Sequence, residues 1–184
     1  MREVLLRSKS AFSIAAFALS AMVLSACTAR PLYSVTAPAA AGVSSTMRAE
    51  LASIAIKPVQ TRYAQEVRNR LVFLFGGGQG EPATPRYSLD LRVTSIREAA
   101  ALRQVTRGEN EPTAATITMI GNYVLTRASD GAVVGQGSRR IMSSFDVPRQ
   151  SFAEMRAAID AQNRAASELA QLLQLSIAQD LSRQ

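Results

Sequence analysis

Among the side chains that carry out covalent chemistry, this 184-residue chain holds one cysteine, Cys27, and no histidine. Without an imidazole, neither a Ser-His-Asp nor a Cys-His arrangement can be assembled. One thiol supplies neither a disulfide within the chain nor a thiolate cluster for a metal. The 14 acidic residues are scattered, as on an ordinary solvated surface, and form no evident general acid and base pair. Composition therefore points away from an enzyme, with no catalytic residue, no metal ligand and no cofactor expected. What remains is the chemistry of one thiol and of many arginines.

The thiol closes the run Leu24-Ser25-Ala26-Cys27. Ahead of it lie a basic start (Arg2, Arg7, Lys9) and an apolar segment from Ala11 to Leu24. That segment falls short of the ~20 apolar residues a membrane span needs, and it has the order of a secretory signal. Small residues followed by cysteine form the pattern of the bacterial lipobox, in which the chain is cut ahead of the cysteine and its thiol is acylated. Residues 1–26 are thus expected to be a lipoprotein signal peptide, and Cys27 the lipidated first residue of a membrane-anchored chain. The competing reading is an ordinary signal, or an uncleaved anchor, with an incidental cysteine.

Removing residues 1–26 leaves 158 residues with 18 basic and 13 acidic side chains, enough for a single domain with a real core. Lys57 is the only lysine left; every other cation is arginine. The guanidinium fork fits phosphates and carboxylates, so nucleic acid, anionic headgroups and an acidic protein wall are the chemical partners to weigh. Export behind a lipid anchor argues against nucleic acid.

These residues need elements to position them. From Cys27 to residue 49 the chain is mostly Ala, Ser, Thr, Val, Pro and Gly, which reads as a flexible tether. The folded domain is expected over 50–184. Leu51 to Val59 reads as a strand stopped by Pro58. Tyr63, Val67, Leu71 and Phe75 recur at helical steps, with Glu66 and Arg70 spaced to pair. Gly76-Gly77-Gly78-Gln79-Gly80 lacks the Lys-Ser/Thr of a phosphate loop and reads as a helix stop.

Arg86 to Ile96 alternates as a half-buried strand, and Leu89 and Leu91 fall on its apolar side together with Tyr87 and Val93. Ala114 to Arg127 and Ala132 to Val147 form a hairpin through Asp130-Gly131. Residues 98–113 read as a stretch into which the strand ends can extend, leaving a charged, mobile hairpin tip. Ser151-Phe152-Ala153-Glu154 fits a capping box opening a helix of about 30 residues, whose apolar stripe runs from Phe152 and Met155 through Ile159 and Leu173 to Leu181. Its length suggests an end that overhangs the sheet. The expected fold is α+β, β-α-β-β-β-α, with a four-stranded, mostly antiparallel sheet and two helices packed on one face. Leu89, Leu91, Ile117 and Leu173 should meet in the core.

A lipobox cysteine followed by Arg30-Pro31-Leu32-Tyr33, a small-residue tether and this element order resembles the LptE family of lipopolysaccharide-assembly lipoproteins, in its alphaproteobacterial form. The resemblance covers the layout of the whole chain but rests on few residues. Thr28 and Ala29 stand where many relatives carry Gly-Phe, and Ser34 where glycine is expected. It implies a non-enzymatic lipoprotein on the periplasmic side of the outer membrane. Its partners would be lipopolysaccharide and the β-barrel LptD, which it would plug and help to assemble during lipopolysaccharide transport. An alternative function is that of an auxiliary lipoprotein for an ABC-type lipid transporter. Arg92, Arg103, Arg107, Arg139 and Arg140 are the candidate contacts to lipopolysaccharide or barrel, and Arg139 and Arg140, being adjacent, should point to opposite faces of their strand.

Overall fold

Alternation and helical periodicity sort the domain into a sheet with one covered face. The computed structural model describes residues 41–106 and 109–183, with side chains described for 46–104 and 111–183. The expected signal peptide over residues 1–26, Cys27, Arg30-Pro31-Leu32-Tyr33 and Arg107 lie outside the described residues. The elements run α1 (Ala41–Ala52), β1 (Ile54–Ile56), α2 (Arg62–Gly76), β2 (Tyr87–Thr106), β3 (Glu109–Arg127), β4 (Val133–Asp146) and α3 (Ser151–Leu181). The fold is α+β, with a four-stranded sheet in the order β1-β2-β3-β4. It is mixed: β1 runs parallel to β2, and the other neighbours are antiparallel.

Two corrections to the sequence reading follow at the N-terminal side. A third helix, α1, occupies residues read as tether, and it takes Leu51 from the expected first strand. That strand is only three residues long. Ile54 and Ile56 are buried, the Lys57 amide donates to the Leu89 carbonyl at 2.9 Å, and Pro58 then removes the next donor. The parallel pairing of β1 with β2 follows from α2, which carries the chain back along the sheet as a crossover.

In α2, Ala64, Val67, Leu71 and Phe75 are buried, and Gly77 ends the helix at φ +60°, where glycine carries no steric penalty. Glu66 and Arg70 form no ion pair among the described residues; the Arg70 guanidinium lies over the Phe73 ring at 5.6 Å instead. The expected core is present. Leu89, Leu91, Ile117 and Leu173 are all buried, alongside Met119, Leu125 and Leu169.

The hairpin of β2 and β3 differs most from expectation. Its strands reach 20 and 19 residues, because the presumed loop continues the ladder through Arg103 opposite Glu111. Strand β4 accompanies β3 only from Ala114 to Thr126, so the last part of the hairpin leaves the sheet as a two-stranded ribbon. Register shifts from Ala99 onward mark where it departs.

Helix α3 begins at Ser151, as the sequence indicated, and spans 31 residues. It has no capping box: Gln150 is the N-cap, without a side-chain hydrogen bond, and Glu154 pairs with Arg97. Only its later turns bury the apolar stripe. The Arg62 guanidinium donates to Gln162 Oε1 at 2.8 Å and Asn163 Oδ1 at 2.9 Å, which sets where α2 comes alongside α3. Before that level Phe152, Met155 and Ile159 stay exposed. The helix is unsheltered there for want of a neighbour, although Glu154 still reaches Arg97 of β2.

Candidate functional site

Side chains of a strand alternate between faces, so the odd and even residues of β2, β3 and β4 separate two surfaces. The odd set is covered by α2 and α3. The even set forms the open face, where the register aligns Arg92, Asn122 and Ser138 in one row and Thr94, Ile120 and Arg140 in the next. At ordinary strand spacing and rise, the Arg92 and Arg140 Cα atoms are about 12 Å apart. Both side chains are exposed, and each can swing toward a ligand lying between them. A shallow hollow of about 260 Å³ sits beside Arg92, bounded by Asp90, Asn122, Tyr123 and Val124. Asp90 already holds Lys57 at 3.1 Å, which leaves the guanidinium as the cation of that hollow.

The other candidate arginines lie elsewhere. Arg139 points under α3, where it donates to Ser176 Oγ at 2.6 Å and to the Ser138 carbonyl at 2.8 Å. It is therefore turned away from the surface that holds its neighbour Arg140. Arg103 stands on the ribbon and pairs with Glu111 at 2.8 Å, a carboxylate that Arg149 also approaches at 3.6 Å. The open face thus brings together Arg92 and Arg140 but neither Arg103 nor Arg139.

Arg139 belongs to a polar cluster that sequence reading missed. The Tyr123 hydroxyl donates to Asp180 Oδ2 at 2.6 Å and lies 2.9 Å from Ser176 Oγ. Burial, followed by the hydrogen bond to Asp180, raises the phenol above its ordinary pKa of 10.0 and keeps it a proton donor. Two glycines make the room. A Cβ at Gly135 would lie 2.6 Å from that of Asp180, and one at Gly137 would lie 2.8 Å from the Tyr123 ring. The irregular glycine pattern of β4 was the signal available in the sequence, although its partner residues were not. This cluster fastens the C-terminal turns of α3 onto the sheet and so fixes which face stays open. Among the described residues, no group of three or more Cys, Asp or Glu is placed to hold a metal ion, and no helix is long and apolar enough to cross a membrane.

An open four-stranded mixed sheet with two helices on one face, one of them long and C-terminal, defines the fold class. A lipoprotein candidate from Caulobacter crescentus has a similar fold in its crystal structure, with a TM-score of 0.61 at 23% identity over 76% of this chain and 98% of that one. Rare lipoprotein B from Shewanella oneidensis is also similar, with a TM-score of 0.51 at 12% identity, covering 71% of this chain and 95% of that one. These likenesses concern the fold. The sequence matches no protein-family model and no curated protein.

Proposed function

We propose that this chain is an outer-membrane lipoprotein of the LptE type, anchored through Cys27, that plugs a β-barrel partner of the LptD kind and serves lipopolysaccharide transport. The observation that carries the reading is an α+β domain whose sheet leaves one face open, on the fold shared with rare lipoprotein B. A barrel lumen is polar and wet, and the Thr, Ser, Asn and Arg side chains of this face can lie against it, while Ile96 and Met142, exposed on the same face, call for an apolar patch of the partner or a lipid chain. Arg92 and Arg140 would supply that face with guanidinium forks for acidic lumen residues or for the phosphates of lipid A. The lipid on Cys27 would hold the domain at the membrane, since two or more chains anchor stably where one does not.

Affinity purification of the full chain from membranes tests the reading. An integral β-barrel protein should copurify in detergent, and Cys27→Ala should reduce its yield. Recovery of an inner-membrane ATPase in place of a barrel would overturn the proposal and favour a transporter accessory.

A further inference from the structure

The sheet treats its edges unequally. On β1, the outward backbone groups of Ile56 are closed by side chains: its amide donates to Glu81 Oε1 at 2.8 Å, and its carbonyl accepts from Arg68 at 3.0 Å. The Arg68–Glu81 ion pair, at 2.6 Å, holds that cap together. On β4, Arg139 covers the Ser138 carbonyl and Arg164 covers that of Ser144, at 2.8 and 3.0 Å. Natural sheets blunt their edges in such ways, because unpaired strands recruit other strands. Among the described residues, no side chain covers the stretch of β2 beyond β1 in this way.

Strand β1 pairs with β2 only at Tyr87, Ser88 and Leu89. Because the Lys57 amide meets the Leu89 carbonyl, the next odd residues, Leu91, Val93, Ser95 and Arg97, present their amides and carbonyls to that edge. Up to Ala99 this stretch carries no register shift and stays a regular template. Beside it lie the unsheltered turns of α3, where Met155 is 51% and Ile159 38% exposed. Together with Arg97 and Glu154 they line a hollow of about 340 Å³.

We infer that β2 from Leu91 to Ala99 is a self-association edge, pairing antiparallel with the same stretch of a second copy of this chain when no other protein occupies it. Three features favour a second copy. A two-fold axis makes the edge its own partner, since each copy offers the same regular run of donors and acceptors. Charge is self-complementary there: the register that sets Leu91 against Ala99 of the second copy sets Arg92 against its Glu98, while Arg97 and Glu154 are already paired within each copy. The apolar strip is likewise matched by its twin, which would cover Met155 and Ile159. The inference is independent of the barrel reading, which concerns the open face.

Sedimentation of the purified full chain in detergent, from micromolar to millimolar concentration, tests it, together with amide exchange of the peptide spanning 91–99. A reversible dimer is expected, with the edge amides exchanging about tenfold more slowly in the dimer than in the monomer. Ser95→Pro removes an outward donor without touching the bonds to β3 and should return the chain to monomer. Ile159→Asp, at an exposed position that leaves the ladder intact, should do the same if the proline variant fails to fold. A monomer at all concentrations, or a dimer unchanged by a folded variant, would overturn the inference. So would edge protection that appears only when a barrel protein copurifies.

Discussion

Asp180, on the last turn of α3, accepts the Tyr123 hydroxyl at 2.6 Å and joins the end of the longest helix to an inner strand of the sheet. The bond lies where two glycines of the neighbouring strand admit it, so the helix is positioned by polar contacts as well as by its leucines.

Tyr123→Phe should destabilise the domain by about 1–3 kcal/mol, because Asp180 Oδ2 is left partly buried without the phenol, Arg183 holding only Oδ1 at 3.2 Å. The effect should depend on pH. The folded-state pKa of Tyr123 lies above 10.0, so the unfolded chain releases this proton first. The stability from this group is complete below the unfolded value and falls as pH rises toward the folded one. Tyr87 is raised in the same direction by burial and then by Glu50, so the variant removes only part of the alkaline loss. Urea midpoints from about pH 8 to about pH 11 should therefore fall more steeply in the parent than in Tyr123→Phe. Parallel curves would count against the assignment.

Gly135→Ala adds a methyl against the Asp180 side chain, and strand or helix must shift to admit it. A loss of about 1–3 kcal/mol is expected, read as a lower melting temperature.

Leu91→Ala should cost about 2–5 kcal/mol, because Leu91 is buried on the covered face of β2 with Leu89 on the same side. Chemical denaturation measures it. A loss under ~1 kcal/mol would mean that the side chain is less well packed than its burial indicates.

Arg92→Glu and Arg140→Glu should each weaken lipopolysaccharide binding about tenfold at low salt while leaving the melting temperature unchanged. Arg139→Gln should show the opposite pattern, with lower stability and little change in binding, since its guanidinium is held by Ser176 and the Ser138 carbonyl. Equal binding by all three variants would remove the open face from lipopolysaccharide recognition.

Cys27→Ala should abolish incorporation of labelled fatty acid into the chain. Persistent labelling would place the lipid elsewhere.

The sequence by itself determined the α+β class, the start and length of α3, the course of α2 and the centre of the core, though not that Phe152, Met155 and Ile159 stay outside it. Each rests on local periodicity: Val67, Leu71 and Phe75 at helical steps, Leu89 and Leu91 at alternate strand positions. Opposite faces for Arg139 and Arg140 followed from the same alternation. Only the tertiary structure decided which face the helices cover, and hence that Arg140 joins Arg92 while Arg139 meets Ser176. Pairing partners decided the strand lengths too, since Arg103 and Glu111 have no apolar alternation to reveal a ladder that the opposite strand imposes. The exposed turn at Met155 and the Asp180 clamp have the same origin. The first depends on where α2 begins beside α3, at Arg62 and Gln162, and the second on the room that Gly135 leaves for Asp180.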